Sequence, residues 1–358
     1  MNKERITAAR AQMDQRGIDV LVVTTGSDLP YLIGYKAMEN ERITALVVRA
    51  EGDPVLVVPT LEEPRVESAV ETRAWEETED PIAIISDLAG ESASTVAVGN
   101  QTWATFLLGL QEQLPNARFQ PAEPLMSELR MVKDDGEVAA LRAAGSAVDG
   151  VVGELASTRF SGQTERQLSR HIDDMTIDSG HERVGFAIVA SGPNGASPHH
   201  EPADRLIEPG DAVVVDFGGW LAGYASDSTR MFVVGDPPGG FTEAYAVLET
   251  AQRAAVDAVK PGVTAESIDT AARDVIADAG YGDLFIHRTG HGIGLDTHER
   301  PYIVEGNTIP LAAGMTFSIE PGIYSPGQWG MRIEDIVAVT NGGVERLNTS
   351  DRGFYAVE

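Results

Sequence analysis

Two stretches of this chain read as strand, turn and strand with an acid in each arm, and few folds accommodate that twice. The first runs Val213-Val214-Val215-Asp216-Phe217-Gly218-Gly219-Trp220, then Leu221-Ala222, then Gly223-Tyr224-Ala225-Ser226-Asp227. A turn centred on Leu221-Ala222 sets Asp216 opposite Asp227 by hairpin register. Directly opposed side chains have Cβ atoms about 4.5 to 5.5 Å apart, so the two carboxylates repel. Burying them unpaired in strand-forming sequence is costly, and something positive is expected between them. The second stretch is Phe317-Ser318-Ile319-Glu320-Pro321-Gly322-Ile323-Tyr324, a turn over Ser325-Pro326-Gly327-Gln328-Trp329, and Gly330-Met331-Arg332-Ile333-Glu334. Centring it on Gly327 sets Glu320 opposite Glu334. If the hairpins pack face to face, four carboxylates converge, and hard oxygen ligands in that number suit one or two divalent ions such as Mn²⁺.

A nitrogen ligand is offered by Gly290-His291-Gly292-Ile293-Gly294, whose glycines let the backbone approach a crowded centre. One imidazole with four carboxylates is a ligand set for paired metals about 3.5 to 4 Å apart, which lower the pKa of a shared water. Taken one at a time, the same residues read more readily as a surface histidine in a glycine-rich loop and acids on solvated strand faces, and only the two matched hairpins together bring the readings level. The residues alone leave both readings open.

The charge balance points the same way as the acids. Lys and Arg number 27 against 55 Asp and Glu, a formal charge of −28, which argues against a nucleic-acid backbone or an anionic membrane as partner. A cation is the more natural ligand, although most of these carboxylates read as a solvated acidic face. No apolar run approaches the roughly 20 residues that span a bilayer, and the opening MNKERITAARAQM is charged and amphipathic. Cysteine is absent, which removes thiolate sites and disulfides and fits a reducing compartment. A soluble cytoplasmic protein is expected.

At 358 residues the chain has room for two domains. Short β-branched runs at Asp19 to Thr24, Thr44 to Val48, Pro54 to Val58, Ile82 to Ser86 and Thr95 to Val98 predict strands. Lys3 to Arg16 and Thr102 to Gln113 predict amphipathic helices, making an α/β domain over residues 1–128. Residues 129–358 form the second domain, with helices expected at about 137–157, 163–178, 241–259 and 265–279. Strands are expected near Phe186 to Ala190 and Ala212 to Phe217. Helices followed by an acid-bearing hairpin thus occur twice.

At these residues the sequence resembles the family of methionine aminopeptidases, proline-specific peptidases and creatinases. The matching stretches are VVVDFGGWLAGYASDSTR, RTGHGIGLDTHERPYI, GMTFSIEPGIY and MRIED, in the family's order and spacing. LRMVKDDGEVAALRAA resembles the entry into the catalytic domain, and Asp28-Leu29-Pro30-Tyr31-Leu32-Ile33-Gly34-Tyr35 the creatinase-type N-terminal domain. The resemblance covers nearly the whole chain. It implies a creatinase-like α/β domain followed by a pita-bread domain with a pseudo-twofold repeat. It also implies Asp216, Asp227, His291, Glu320 and Glu334 as ligands of two divalent metal ions, Mn²⁺ by preference with Co²⁺ or Zn²⁺ possible, and Asp227 and Glu334 bridging. None of the five departs from the pattern. Metal-independent creatinases do depart there, and methionine aminopeptidases usually lack the added N-terminal domain. The resemblance therefore points to cleavage of the Xaa-Pro bond in dipeptides or short proline-containing peptides.

It also gives roles to other residues. Ser191 to His199 resembles a segment supplying a substrate-binding histidine, and His199 and His298 are expected to polarise the scissile carbonyl and stabilise the oxyanion. Without the resemblance each reads as a core or rim histidine. His287, four residues before His291, is expected to wall the substrate pocket, a packed structural histidine being the rival reading. His200 is unassigned. Arg332 shares a strand face with Glu334 and is expected to hold ligating carboxylates, the rival being a surface ion pair. Glu320 is expected to act as proton carrier as well as ligand. Phe186, Tyr224 and Tyr302 are candidate pocket walls. A homodimer is expected from related two-domain enzymes. The alternatives are hydrolysis of another C–N bond, in a small amidine or a compatible solute, and an inactive binding protein.

Overall fold

A computed structural model describes residues 1–358, which divide into two compact units, Met1–Arg130 and Met131–Glu358. In the first, helix α1 (Lys3–Arg16) starts where the Asn2 side chain accepts the Arg5 N–H and stops at Gly17, whose φ of 60° ends it. Then come β1 (Val20–Val23), α2 (Asp28–Ile33), β2 (Ala45–Arg49), β3 (Val55–Pro59), β4 (Glu71–Trp75), α3 (Pro81–Ala89), β5 (Thr95–Val98), α4 (Ala104–Gln113), β6 (Arg118–Pro121) and α5 (Glu123–Met131). They build one mixed sheet in the order β4-β3-β2-β1-β5-β6.

One expected strand is a helix. Ile82 to Ser86 lies within α3, because Asp80 caps the amides of Ile82 and Ala83 and Pro81 occupies the first turn. Conversely, β4 and β6 lack the apolar run of an interior strand. They are the two edges of the sheet and their residues are largely exposed or half-buried.

The second unit opens with α6 (Asp135–Leu155) and α7 (Glu165–Asp178), started by capping boxes at Asp134/Glu137 and Thr164/Gln167. Strands β7 (Arg183–Ser191), β8 (Ala212–Leu221), β9 (Tyr224–Ala225) and β10 (Ser228–Val234) follow. Helices α8 (Phe241–Ala258) and α9 (Ala265–Asp278) then lead to β11 (Gly290–Gly292), β12 (Glu299–Ile303), β13 (Thr316–Ile319), β14 (Gly322–Ser325), β15 (Trp329–Arg332), β16 (Asp335–Thr340), β17 (Gly343–Arg346) and β18 (Tyr355–Val357). The helix pair followed by strands occurs twice, as the sequence suggests. One sheet runs β18-β10-β8-β7 with β9 on β8, another β12-β11-β13-β16-β17, and β14 with β15 forms a separate ribbon.

The pleat of β8 decides where its acid points. Val213, Val215 and Phe217 pack with Val148, Val152, Leu168 and Ile172 of α6 and α7. Ala212 and Val214 belong instead to the cluster that contains Leu248, Ile268, Phe317 and Val337. Asp216 follows the second alternation, so its carboxylate faces the elements of the second repeat.

Candidate metal centre

The first hairpin is shifted from the register predicted for it. Leu221 pairs with Tyr224 and Asp216 with Thr229, so the turn residues are Ala222 and Gly223, with φ of 50° and 80°. Two left-handed residues make the tight turn that matches strand twist, and Gly223 supplies the second without penalty. Asp227 consequently stands in the break between β9 and β10. It lies beside Gly218, where an added Cβ would come within 3.3 Å of the Asp227 Cα. Asp216 and Asp227 are thus diagonal neighbours on one face. The second hairpin keeps its predicted register: Gly322 pairs with Arg332 and Ser325 with Trp329 about Gly327, and beyond the paired strands Ile333 N–H donates to Pro321 O, 3.4 Å. Glu320 and Glu334 continue that ladder as opposed residues.

Asp216, Asp227, His291, Glu320 and Glu334 all line one cavity of about 570 Å³. Ligand atoms of Asp227, His291 and Glu334 lie within 4.8 Å of one another. His291 Nε2 is 3.2 Å from Glu320 Oε1 and 3.6 Å from Asp227 Oδ2. Its Nδ1–H donates to Gly292 O at 3.1 Å, which turns Nε2 toward the acids. The glycines beside it are required by space: a Cβ on Gly290 would sit 1.9 Å from Ser318 O, and one on Gly292 2.2 Å from Arg300 O.

The acids are unequal. Burial, and then the charges of Asp216 and Glu320, push the Asp227 carboxyl well above the carboxylate range. Burial and the charges of Asp227, Glu320 and Asp216 do the same to Glu334. Burial raises Asp216 more moderately, because Arg332 opposes it. Burial also lifts Glu320, but the hydrogen bond and charge of His291, with His287 and Arg332, outweigh it and hold the carboxyl at about 2. Ser318 Oγ donates to the same Glu320 Oε1, at 2.9 Å.

These residues fit a divalent pair. Asp216 Oδ1 is buried with no hydrogen-bond partner, while its Oδ2 accepts from Arg332. Two further carboxyls, Asp227 and Glu334, are pushed upward by burial and then by neighbouring carboxylates, and an imidazole nitrogen lies close to two carboxylate oxygens. Cations supply the positive charge that each of these features lacks.

Arg332 is fully committed. Its Nη2 donates to Asp216 Oδ2 at 2.6 Å, its Nε to Thr229 Oγ1 at 3.0 Å and its Nη1 to the Tyr324 hydroxyl oxygen at 2.7 Å. Thr229 Oγ1–H in turn donates to Glu334 Oε2 at 2.8 Å, so Arg332 reaches Glu334 only through Thr229. Thr229 and Tyr324 fall inside the stretches VVVDFGGWLAGYASDSTR and GMTFSIEPGIY, but the sequence assigns neither a role. Thr229 follows once the hairpin register is corrected, since it then faces Asp216.

His287 lines the cavity with both nitrogens engaged. Nδ1–H donates to Arg288 O at 2.7 Å, so Nε2 accepts from the Tyr324 hydroxyl at 2.8 Å. Burial lowers its pKa and pushes that of Tyr324 up to about 12, which fits a neutral ring accepting from a protonated phenol. His298 stacks nearly perpendicular to His291, ring centroids 4.1 Å apart. Lost hydration, then the charges of His291 and Arg288, bring its pKa down to about 4. It is neutral at pH 7. His199 also lines the cavity, from an exposed loop position. His200 turns away, to Glu165 Oε2 at 2.8 Å.

The apolar side of the cavity is Phe186, Ile188, Pro198 and Trp220. Trp220 is fixed by its Nε1–H to Leu295 O, 2.8 Å, and Gly185 leaves room for its ring. Of the three aromatics expected here only Phe186 lines the wall. Tyr224 donates its hydroxyl to Glu137 Oε1 at 3.0 Å, and the Tyr302 ring lies 4.4 Å beneath the Arg288 guanidinium.

Comparison with known proteins matches residues 139–341 to metallopeptidase family M24 and residues 5–132 to the creatinase/prolidase N-terminal domain. A probable dipeptidase PepE of Mycobacterium tuberculosis is 45% identical over 99% of this chain and 96% of its own length. The Xaa-Pro dipeptidase of Lactobacillus helveticus is 36% identical over 95% of each. The crystal structure of a prolidase from Thermococcus sibiricus superposes with a TM-score of 0.96 at 37% identity, covering 100% of this chain and 99% of that one.

Proposed function

This chain belongs to metallopeptidase family M24 and carries a creatinase/prolidase N-terminal domain, and from that premise we propose that it hydrolyses the Xaa-Pro bond of dipeptides. Its second unit is the pita-bread domain and its first the creatinase-like α/β domain. The observation that carries the proposal is the meeting of four acids and His291 in one cavity that Phe186, Ile188, Pro198 and Trp220 also line. The names of its relatives, Xaa-Pro dipeptidase and prolidase, support the substrate class. Hydrolysis of another C–N bond and an inactive binding role are not favoured by them.

In this reading Asp216, Asp227, His291, Glu320 and Glu334 hold two divalent ions. Mn²⁺ is the preferred ion, because oxygen donors dominate the set. When bound, the ions supply Lewis acidity that activates water near neutral pH and polarises a carbonyl. The chain's own groups do the rest. Glu320, ionised at neutral pH, takes the proton of the attacking water and passes it to the departing proline nitrogen. That nitrogen has no hydrogen of its own in the peptide, so the delivered proton completes the leaving group. His298, neutral at pH 7, and His199 offer N–H donors to the oxygen on which charge develops. Arg332 and Tyr324 fix Asp216 and His287, and Phe186, Ile188 and Trp220 hold apolar substrate surface and exclude water. His287 is a wall whose nitrogens are already satisfied, with no free donor for substrate.

No helix is long and apolar enough to cross a membrane. A cytoplasmic setting is proposed on the cysteine-free composition, and a twofold homodimer on the general preference for closed pairs. The deciding experiment measures proline release from Ala-Pro and Ala-Pro-Pro with Mn²⁺ or with EDTA. Mn²⁺-dependent release from Ala-Pro, weaker on the tripeptide, is the expected result. Equal rates in EDTA would end the metallopeptidase reading.

A further inference from the structure

His199 presents a chemical puzzle of its own. It is exposed, and its ring makes no hydrogen bond or ion pair to hold it in the cavity wall. Its placement must come from its backbone, which lies in the long connection between β7 and β8. That connection converges on a single buried carboxylate, Glu165, in the first turn of α7. Oε1 accepts from Ser191 N–H at 2.8 Å, Ser191 Oγ–H at 2.7 Å and Asn194 Nδ2–H at 3.0 Å. Oε2 pairs with His200 Nε2 at 2.8 Å and accepts from Ala203 N–H at 3.1 Å. Burial raises the Glu165 pKa, yet these bonds together hold it below the carboxylate range, so all five are made to an ion.

The bonds bracket His199 on both sides. Ser191 and Asn194 precede it, Ala203 follows, and His200 is its immediate neighbour. Beyond them Glu165 N–H donates to Arg205 O at 3.1 Å and Arg166 N–H to Ala203 O at 3.0 Å, stitching the connection to the start of α7. The other side of the connection rests on the hairpin that carries Glu320 and Glu334. A Cβ on Gly330 would stand 1.8 Å from Gly195 O, and one on Gly195 3.0 Å from Gly330 N. The backbone carrying His199 is therefore held between a buried anion and the β15 strand of the candidate metal centre.

We propose that Glu165 and His200 are positioning residues, which fix the backbone of the connection so that the unsupported His199 ring reaches the reacting carbonyl. Neither touches the cavity. His200 acts because it closes the turn that carries His199: its N–H donates to Ser197 O at 3.2 Å, so anchoring its ring on Glu165 holds the turn that presents the His199 ring. This inference rests on the peptidase reading, in which His199 donates to the developing oxyanion. Placement matters there because a donor displaced by about 1 Å can forfeit up to about a hundredfold in rate.

The test uses the full chain loaded with Mn²⁺ and the variants His200→Ala, His199→Ala and the double variant, assayed on Ala-Pro. His200→Ala is expected to lower kcat by about tenfold with a smaller change in KM. In the His199→Ala background the same change should cost almost nothing, because the ring it aims is gone. His200→Gln, which keeps a donor near Glu165 Oε2, should recover part of the loss. An unchanged kcat, or an equal loss in both backgrounds, overturns the proposal. A second readout needs neither substrate nor metal: amide hydrogen exchange over residues 191–203 should accelerate in His200→Ala and in Glu165→Gln. Unaltered exchange in both variants overturns the anchoring. A parent enzyme inactive on Ala-Pro would sink the reaction assignment instead, and the exchange measurement would still decide whether Glu165 and His200 hold the loop.

Discussion

In the hairpin of β8 to β10 both acids are pushed upward, whereas in that of β14 and β15 Glu334 is pushed up and Glu320 is held at about 2. The contrast comes from what each acid finds nearby. Glu320 meets His291 at 3.2 Å and a donating Ser318 hydroxyl, while Asp227 is buried mainly among other carboxyls. Asp216 lies between these extremes, because one of its oxygens has the Arg332 guanidinium and the other nothing. Asp227 and Glu334 are thus the acids that most need an external cation to ionise, Asp216 shares the guanidinium of Arg332, and Glu320 is ionised without a cation. The same cavity is thus built to take up cations and to keep one carboxylate ionised before they bind.

The largest expected effect removes an acid that depends on the cation. Asp227→Ala should lose bound metal, measured by elemental analysis after gel filtration, and with it at least about a thousandfold of proline release. The chain itself should fold, since the lost carboxyl is one that burial disfavours. Full activity and metal content in Asp227→Ala would show that the two hairpins do not share a centre.

A smaller effect separates the hairpins by pH. Asp227 and Glu334 have raised pKa values in the metal-free protein. Such groups contribute stability that is fully present below the ordinary carboxylate range and is lost as pH rises through their raised values. Glu320 has the opposite sign: its contribution is present above the ordinary range and is lost only as pH falls toward about 2. Between pH 5.5 and 8 the first pair dominates. Melting in EDTA should therefore fall as pH rises across that window, by roughly 3 °C or more, with Mn²⁺ removing much of the dependence. A metal-free melting temperature that climbs over the window would mean these acids are not crowded.

How much of this was legible in the sequence differs between the hairpins too. In the second, Pro326-Gly327-Gln328 forms a three-residue loop centred on Gly327, and the register follows from it. In the first, Leu221-Ala222 and Ala222-Gly223 are both possible centres. The alternating strand pattern continues through either, so an error of one residue leaves the acids on one face but no longer opposed. The signal that separates the two centres is Gly223, which suits the second left-handed position. The five residues that meet in the cavity were readable because motif and spacing are local. Thr229, Tyr324 and Glu165 were not, because their roles come from partners distant in sequence: Glu334, His287 and the Ser191 to Ala203 connection. The α3 segment misled for a different reason. Its run of isoleucines reads as strand, and only the Asp80-Pro81 start argues for a helix.

The smallest effect tests the turns themselves. Ala222 is the one non-glycine residue with positive φ, 50°, whereas Gly327 holds φ of 73° in the other turn with no side chain to strain. An L-residue in the left-handed region costs about 1 to 2 kcal/mol, and glycine there gives back about 0.5 to 1 kcal/mol in lost chain freedom. Ala222→Gly should therefore stabilise by about 0.5 kcal/mol, which raises the melting temperature by roughly 1 to 2 °C. Gly327→Ala should lower it by a similar or slightly larger amount, since nothing lies within 4 Å of the new Cβ and backbone strain is the whole cost. Neither substitution approaches the cavity, so kcat/KM on Ala-Pro should stay within about twofold of the parent's. Should Ala222→Gly melt lower than the parent while Gly327→Ala melts higher, the turn assignment that sets both registers would be reversed, and the diagonal placement of Asp216 and Asp227 would fall with it.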